Sequence, residues 1–455
     1  MAPPLNRRDF IRQTGMIGAG VATGLLAACD GGGDDPAGAV QARSLPAPEE
    51  SGIDHIVVVM MENRSFDHML GWVPGADGRQ AGLRYPDADG VVQATHRLNP
   101  DYQGCGLEDP PHGYDHGHAI LNGGRMDQFL RDTPVGDVFP IGYYTAEDLP
   151  FYKGCAEHWT VCDRYHSGML ASTQSNRMYM HSGQSDRTNN GSGALDPIPK
   201  ISTLPTIWDD ARAAGLRVGY YYNNLPYTAI WGAKYLGFSR PYASFALEAA
   251  AGLLPNITYI DPFFYQDGLD HLCNDDHPHA DVRNGQAFLN GIYDTLRNAP
   301  TWERTLLVIN YDEWGGFFDH VEPPVLPVSE DEAALGNDGR LGIRTPCVLI
   351  GPRVRRAHVA KMLMEPNSIL KFMEWRWGLP PLGVRAAVTN NLAYALDFDA
   401  PPRTDAPAFE VPSNAGQSQV CAFAGKSGPM TGSMAAHARE IEGLQRMARS
   451  YGFVC

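Results

Sequence analysis

The stretch IDHIVVVMM at residues 53–61 runs straight into ENRSFDH at 62–68, and that junction points to the architecture. A nearly unbroken run of β-branched and apolar residues predicts a strand buried on both faces, as in the interior of a parallel sheet. TLLVINY at 305–311 repeats the pattern and PCVLI at 346–350 is a third instance, with weaker candidates at Arg217–Tyr222 and Ile257–Ile260. Between them lie helical patterns: Pro205 to Ala214 stopped by Gly215, Val282 to Asn298, and Ser368 to Trp377 stopped by Gly378. Strands alternating with helices predict an α/β fold, a mostly parallel sheet with helices on both faces. No internal repeat breaks the chain into modules.

Working outward, the 455 residues are 43% hydrophobic and 19% charged, enough to bury a large core. The formal net charge of −16 argues against nucleic acid and against anionic lipid as partners. A protein this acidic needs a bound cation or a focused set of donors to hold a phosphate. Residues 1–29 read as a targeting segment. NRRDFI at 6–11 is a twin-arginine pattern, and the apolar stretch from Met16 to Ala28 is too short and too rich in Gly and Ala to anchor in a bilayer. Leu26-Ala27-Ala28-Cys29 forms a lipoprotein-type box, so Cys29 is a candidate lipidated residue and a possible membrane tether. The expected location is therefore outside the cytoplasm: periplasmic, tethered to the membrane or secreted. Residues 30–50 read as a flexible linker, 51–400 as the catalytic domain, and 401–455 as a C-terminal extension holding a basic amphipathic stretch, His437 to Tyr451. The eight cysteines show no CxxC or zinc-type spacing, and Cys421 and Cys455 bracket the extension as a candidate disulfide.

Open α/β sheets bind ligands beyond the carboxyl ends of their strands. Glu62 and Asn63 follow the first strand, and Asp312 and Glu313 follow the 305–311 strand, so four oxygen-bearing side chains could converge on one divalent cation. Carboxylates after a strand also cap helices, but two such ends in one sheet favour a metal. The segment STQSNRMY at 172–179 offers Ser172, Thr173 and Ser175 as hydroxyl nucleophiles, and sequence physics alone does not choose among them. Asn176 and Arg177 could bind phosphate oxygens there, Arg177 in bidentate fashion. His112, His277 and His320 are candidates to protonate a leaving alkoxide or contact phosphate.

Six blocks in this order, IDHIVVVMMENRSFDHMLG, HGYDHGH with NGGRMDQF, STQSNRMY, DDHPHADVRNGQ, NYDEWGGFFDHVEPP and LGIRTPCVLIGPRVR, resemble the bacterial phosphoesterase family of phospholipases C and acid phosphatases. The resemblance spans roughly residues 51–400. It implies an alkaline-phosphatase-like fold, metal ligation by Glu62, Asn63, Asp312 and Glu313, and Thr173 as a nucleophile forming a phospho-enzyme. It also implies histidines 112, 277 and 320 around the phosphate. Ser175 stands where family members usually carry Pro. The chain shows no long extension of the kind haemolytic members carry, so toxin activity is not expected.

The expected cofactor is one or more divalent ions, Ca²⁺, Mg²⁺, Mn²⁺ or Zn²⁺. The expected partner is a phospholipid or small phosphoester, with no obligate protein partner. Three readings stand: a phospholipase C-like phosphodiesterase, a broad-specificity acid phosphatase, and a non-catalytic binding protein on the same fold. A phosphodiester preference is favoured by the aromatic cluster of Tyr220, Tyr221, Tyr222, Tyr227 and Trp231, which could hold a choline headgroup. No Cys-x-Pro-x-Arg segment is present, which argues against a sulfatase.

Overall fold

The computed structural model describes residues 44–190, 200–266, 269, 271–414, 417–421 and 432–455. The segment expected to be an export signal, the Cys29 box and most of the expected linker lie outside these residues. Eight strands form the main sheet: β1 (His55–Met61), β2 (Thr160–Cys162), β3 (Val218–Tyr222), β4 (Ser239–Pro241), β5 (Ile257–Ile260), β6 (Thr305–Tyr311), β7 (Cys347–Ile350) and β8 (His358–Ala360). Their order is β8-β2-β7-β6-β1-β5-β3-β4.

β1 lies at the heart of the sheet, parallel to β6 through His55–Thr305 to Met61–Tyr311, and parallel to β5 on its other side. Every residue from Ile56 to Met61 and from Thr305 to Tyr311 is buried. Strand side chains alternate between faces, so both faces of the sheet are covered. β7 alone runs antiparallel, against both β6 and β2. The reason is its connection. After β6 the chain spends residues 312–346 in loops and one five-residue helix, Glu330–Ala334, and returns down the sheet with no long helix to carry it back to the start.

The helices used below are α1 (Phe66–Leu70), α2 (Tyr114–Leu121), α3 (Pro150–His158), α4 (Thr173–Ser182), α5 (Ile207–Ala213), α6 (Ala243–Ala250), α7 (Val282–Arg297), α8 (Glu330–Ala334), α9 (Pro366–Trp377) and α10 (Gly432–Ser450). α7 shows why these segments are helical. Asp281 caps it by accepting from Arg283 N, and Val282, Phe288, Leu289, Ile292, Tyr293 and Leu296 bury one face. α3, α6 and α7 pack as one group, and α4, α5 and α9 as another. No helix among the described residues is long and apolar enough to cross a membrane.

The disulfide joins Cys105 to Cys421, not Cys421 to Cys455. Spacing along the chain suggested the wrong pair because folding carries Cys421 back to the loop before α2.

Candidate active site

The carboxyl ends of β1, β5 and β6 lie side by side, and each delivers an acidic residue: Glu62, Asp261 and Asp312. Asn63 adopts a left-handed backbone, φ 59°, which short polar side chains tolerate. This turns the chain so that its amide N donates to Asp312 Oδ1 at 3.1 Å. The turn after β6 packs against it. A Cβ on Gly315, which has φ +63°, would lie 2.1 Å from the carbonyl oxygen of Asn63, so only glycine allows this approach.

Glu62, Asn63, Asp312 and Glu313 are all at most 1% exposed. Asp312 Oδ1 accepts from the backbone of Asn63 and Glu313, and Glu313 Oε2 from Gly315 N. Both oxygens of Glu62, Oδ2 of Asp312 and Oε1 of Glu313 are buried without a hydrogen-bond partner. Burial, reinforced by the neighbouring Asp312, holds Glu62 and Glu313 well above the ordinary carboxylate range. Burial raises Asp312 as well, against the pull of Arg177. Crowded, desolvated carboxylates with unused oxygens fit a divalent cation, and an all-oxygen set with one amide suits a hard ion.

Thr173 opens α4 and is 4% exposed, its Oγ1 3.4 Å from Asn63 Oδ1. The Nδ2 of the same amide lies 3.4 Å from His112 Nε2. His112 donates its other ring N–H to Pro110 O at 2.7 Å, which leaves Nε2 unprotonated, 3.7 Å from Glu313. Burial lowers its pKa. His277 stands edge-on to His112, ring centroids 6.2 Å apart, with Nε2 3.9 Å from Asp109. The structure therefore brings Glu62, Asn63, Asp312, Glu313, Thr173, His112 and His277 together.

The other three candidates are engaged differently. Arg177, expected to clasp phosphate, is 1% exposed and paired with the carboxylates themselves. Its guanidinium meets Asp261 at 3.0 Å, Glu62 at 3.3 Å and Asp312 at 3.4 Å, and bonds the carbonyls of Met60 and Met61. It is an internal counter-ion, and its fork is already engaged. Burial pushes the Asp261 carboxyl up to about 7 despite that pairing. Asn176 is likewise turned inward: its amide accepts from Met169 N and donates to the carbonyls of Ala171 and Ser172, stapling the turn that presents Thr173. His320 belongs to a separate network that reaches the surface at Asp77. Its Nδ1 pairs with Asp67 at 2.5 Å and Nε2 with Asp77 at 3.1 Å, while Arg344 bridges Asp67 and Asp319. Burial opposes its charged form, but the bonded Asp67 outweighs that and raises its pKa.

The aromatic cluster also differs from expectation. Tyr220, Tyr221, Tyr222, Tyr227 and Trp231 are all at most 4% exposed, and Tyr220 bonds Asp261. They are core residues of β3 and of the helical segment Tyr227–Phe238 that follows it, not a headgroup cage.

Sequence reading missed Asp109, His437 and Glu440. Asp109 lies close before His112 and could have been found from that spacing. His437 and Glu440 belong to the extension: the ring of His437 stacks on His277 at 3.8 Å, and Glu440 accepts from Gln174 at 2.8 Å and Asn190 at 2.6 Å.

Comparison with known proteins agrees with this geometry: residues 53–380 match the phosphoesterase family. The chain belongs to the phosphoesterase family. It is 31% identical over 414 residues to a non-specific phospholipase C3 of Arabidopsis thaliana, covering 78% of this chain and 76% of that one. It is 28% identical over 479 residues to phospholipase C A of Mycobacterium tuberculosis, covering 90% and 88%. A solved protein of the alkaline phosphatase superfamily from Vibrio parahaemolyticus aligns over 89% of each chain with a TM-score of 0.38 at 8% identity, too remote a likeness to say anything about activity. This phosphoesterase is a phosphoric ester hydrolase on a mostly parallel α/β sheet.

Proposed function

We propose that the phosphoesterase is a phospholipase C-type phosphodiesterase with Thr173 as nucleophile. The observation that carries the mechanism is the placement of the Thr173 hydroxyl at the first turn of α4, beside Asn63 and the buried carboxylates. A cation held by Glu62, Asn63, Asp312 and Glu313 would supply Lewis acidity and favour the ionised hydroxyl. Thr173 Oγ1 attacks phosphorus, forming the Oγ–P bond as the bond to the leaving alkoxide breaks. His112 Nε2 carries the proton from hydroxyl to alkoxide, and water then hydrolyses the phospho-threonine. Asn63 touches both groups and holds them in register. Asn176 and Arg177 act from below, one fixing the Thr173 turn and the other the carboxylates.

Two curated relatives are phospholipases C, which supports a phospholipid substrate. The net charge of −16 favours a zwitterionic over an anionic headgroup. Thr173→Ala is expected to lose a factor of ~10³ or more in turnover, as for other covalent nucleophiles. Near-normal turnover of a folded variant defeats the assignment and turns attention to Ser172. For the substrate, kcat/KM with p-nitrophenylphosphorylcholine is expected to exceed that with p-nitrophenyl phosphate. A clear monoester preference with an acidic optimum makes the protein an acid phosphatase instead.

Export by the twin-arginine route, with lipidation of Cys29, is part of the same proposal. It rests on Arg7-Arg8 and Leu-Ala-Ala-Cys. Replacing both arginines by lysine should retain precursor in the cytoplasm, and mass spectrometry of the mature N-terminus reads the lipid directly. Delivery of the doubly substituted protein to the envelope rules the route out.

A further inference from the structure

α10 brings to the site a histidine that the mechanism above does not use. His437 lies face to face with His277, the ring planes 18° apart, and both are buried. His277 Nδ1 donates to the carbonyl of Pro278 at 2.5 Å, so Nε2 carries a bare lone pair. That Nε2, the Nε2 of His437 and both oxygens of Glu62 are buried with no hydrogen-bond partner, Glu62 Oε1 facing the Arg177 guanidinium at 3.3 Å and Oε2 left without an ion pair. One donor atom from each of the three residues falls within 4.8 Å of the other two. Buried polar atoms are almost always bonded, so several unbonded ones converging on one place point to a ligand. A bare nitrogen beside a carboxylate repels an anion and attracts a cation. A histidine that gives its other N–H to a backbone carbonyl is oriented as metal-binding histidines are.

The delivery of His437 is also secured. On the next turn of the same helix, Glu440 is bonded to Gln174 and Asn190, beside the nucleophile. Upstream of the helix, Cys421 is bonded covalently to Cys105, in the loop that leads to Asp109 and His112.

We propose that His437, His277 and Glu62 form a second divalent-cation site, closed by the C-terminal helix and distinct from the oxygen set of Asn63, Asp312 and Glu313. Two nitrogens and one carboxylate are a donor set for a borderline ion of the zinc class rather than calcium or magnesium. The two sites share Glu62, whose two oxygens can serve one each. In that respect the inference rests on the metal reading above, but it owes nothing to the role of Thr173.

The test is metal stoichiometry of the full-length protein, stripped with chelator and dialysed against Zn²⁺. Wild type is expected to retain about two equivalents, and His437→Ala and His437→Gln about one each, given one cation per structural set of this kind. Glu313→Gln should lose the other equivalent. With Co²⁺ in place of Zn²⁺, the visible band of a nitrogen-ligated ion should survive in Glu313→Gln and vanish in both His437 variants. Matching melting temperatures of the chelated proteins exclude misfolding as the cause. Saturation of wild type at one equivalent that both His437 variants keep overturns the second site, as does retention of two equivalents by both His437 variants. Loss of metal in the His437 variants with none in Glu313→Gln leaves this site standing and removes the oxygen set.

Discussion

Single residues here carry roles that their chemistry permits but does not announce. Arg177 could clasp a phosphate, yet it is committed to Glu62, Asp261 and Asp312. Removing one partner of a buried ion group strands the others, at a typical cost of about 3–5 kcal/mol. Arg177→Met is therefore expected to destabilise the metal-free protein by that amount in urea melts, and a loss of activity with unchanged stability would restore Arg177 to the substrate. Glu374 offers a cleaner electrostatic test. Burial raises its pKa to about 7, although Leu382 N donates to Oε1 at 2.8 Å. Its neutral form is the one the fold favours, so its contribution is complete below the unfolded pKa of ~4.5 and fades as pH rises through about 7. Glu374→Gln keeps the acceptor and abolishes the titration. Its melting temperature should match wild type near pH 4.5 and exceed it near pH 8; an equal difference at both would exclude linkage.

Among the elements, the turn after β6 decides whether Asp312 and Glu313 meet Glu62 and Asn63. Its path requires Gly315 against the backbone of Asn63, a contact any side chain would break. Gly315→Ala is expected to leave the sheet intact, since β6 lies in the core upstream of the turn. The shift should weaken metal binding by about 10–100-fold, the range found when groups that orient ligands are lost. Isothermal titration of the chelated variant with Mn²⁺ reads this, and wild-type affinity would show that the turn adapts. The strand-to-ligand junctions at 61–62 and 311–312 were legible because a buried parallel strand has a distinctive pattern and must end at the ligand edge of the sheet. α10 was legible as an amphipathic helix, but amphipathicity says only that one face is covered, not by what.

For the whole molecule, the bond between Cys105 and Cys421 spans 316 residues and ties the end of the chain to the loop before the site. Cross-links of this kind typically contribute 2–5 kcal/mol, about that much being expected here from restriction of the unfolded chain. Cys105→Ser should lower unfolding free energy accordingly and make the segment beyond 400 the first to be cut in limited proteolysis. Reductant should do the same to wild type and nothing further to the variant. A melting curve indifferent to both would mean that packing of α10 alone holds the tail.

The information carried by residue order is local and periodic. The apolar runs specified buried parallel strands, their polar ends specified Glu62, Asn63, Asp312 and Glu313, and ordered motifs specified the family. Packing settles which way a polar side chain faces once the sheet closes. His320 shares a motif with Asp312 and Glu313, yet the chain turns it toward Asp67 and Asp77. Arg177 and Asn176 follow Thr173 on the same helix, yet one pairs with Asp261 and the other bonds the carbonyls of Ala171 and Ser172. His437 lies far along the chain from His277 and stacks on it. The physical reason is common to all of them. Side-chain direction and long-range pairing follow from how distant elements pack, and no window of sequence contains that information.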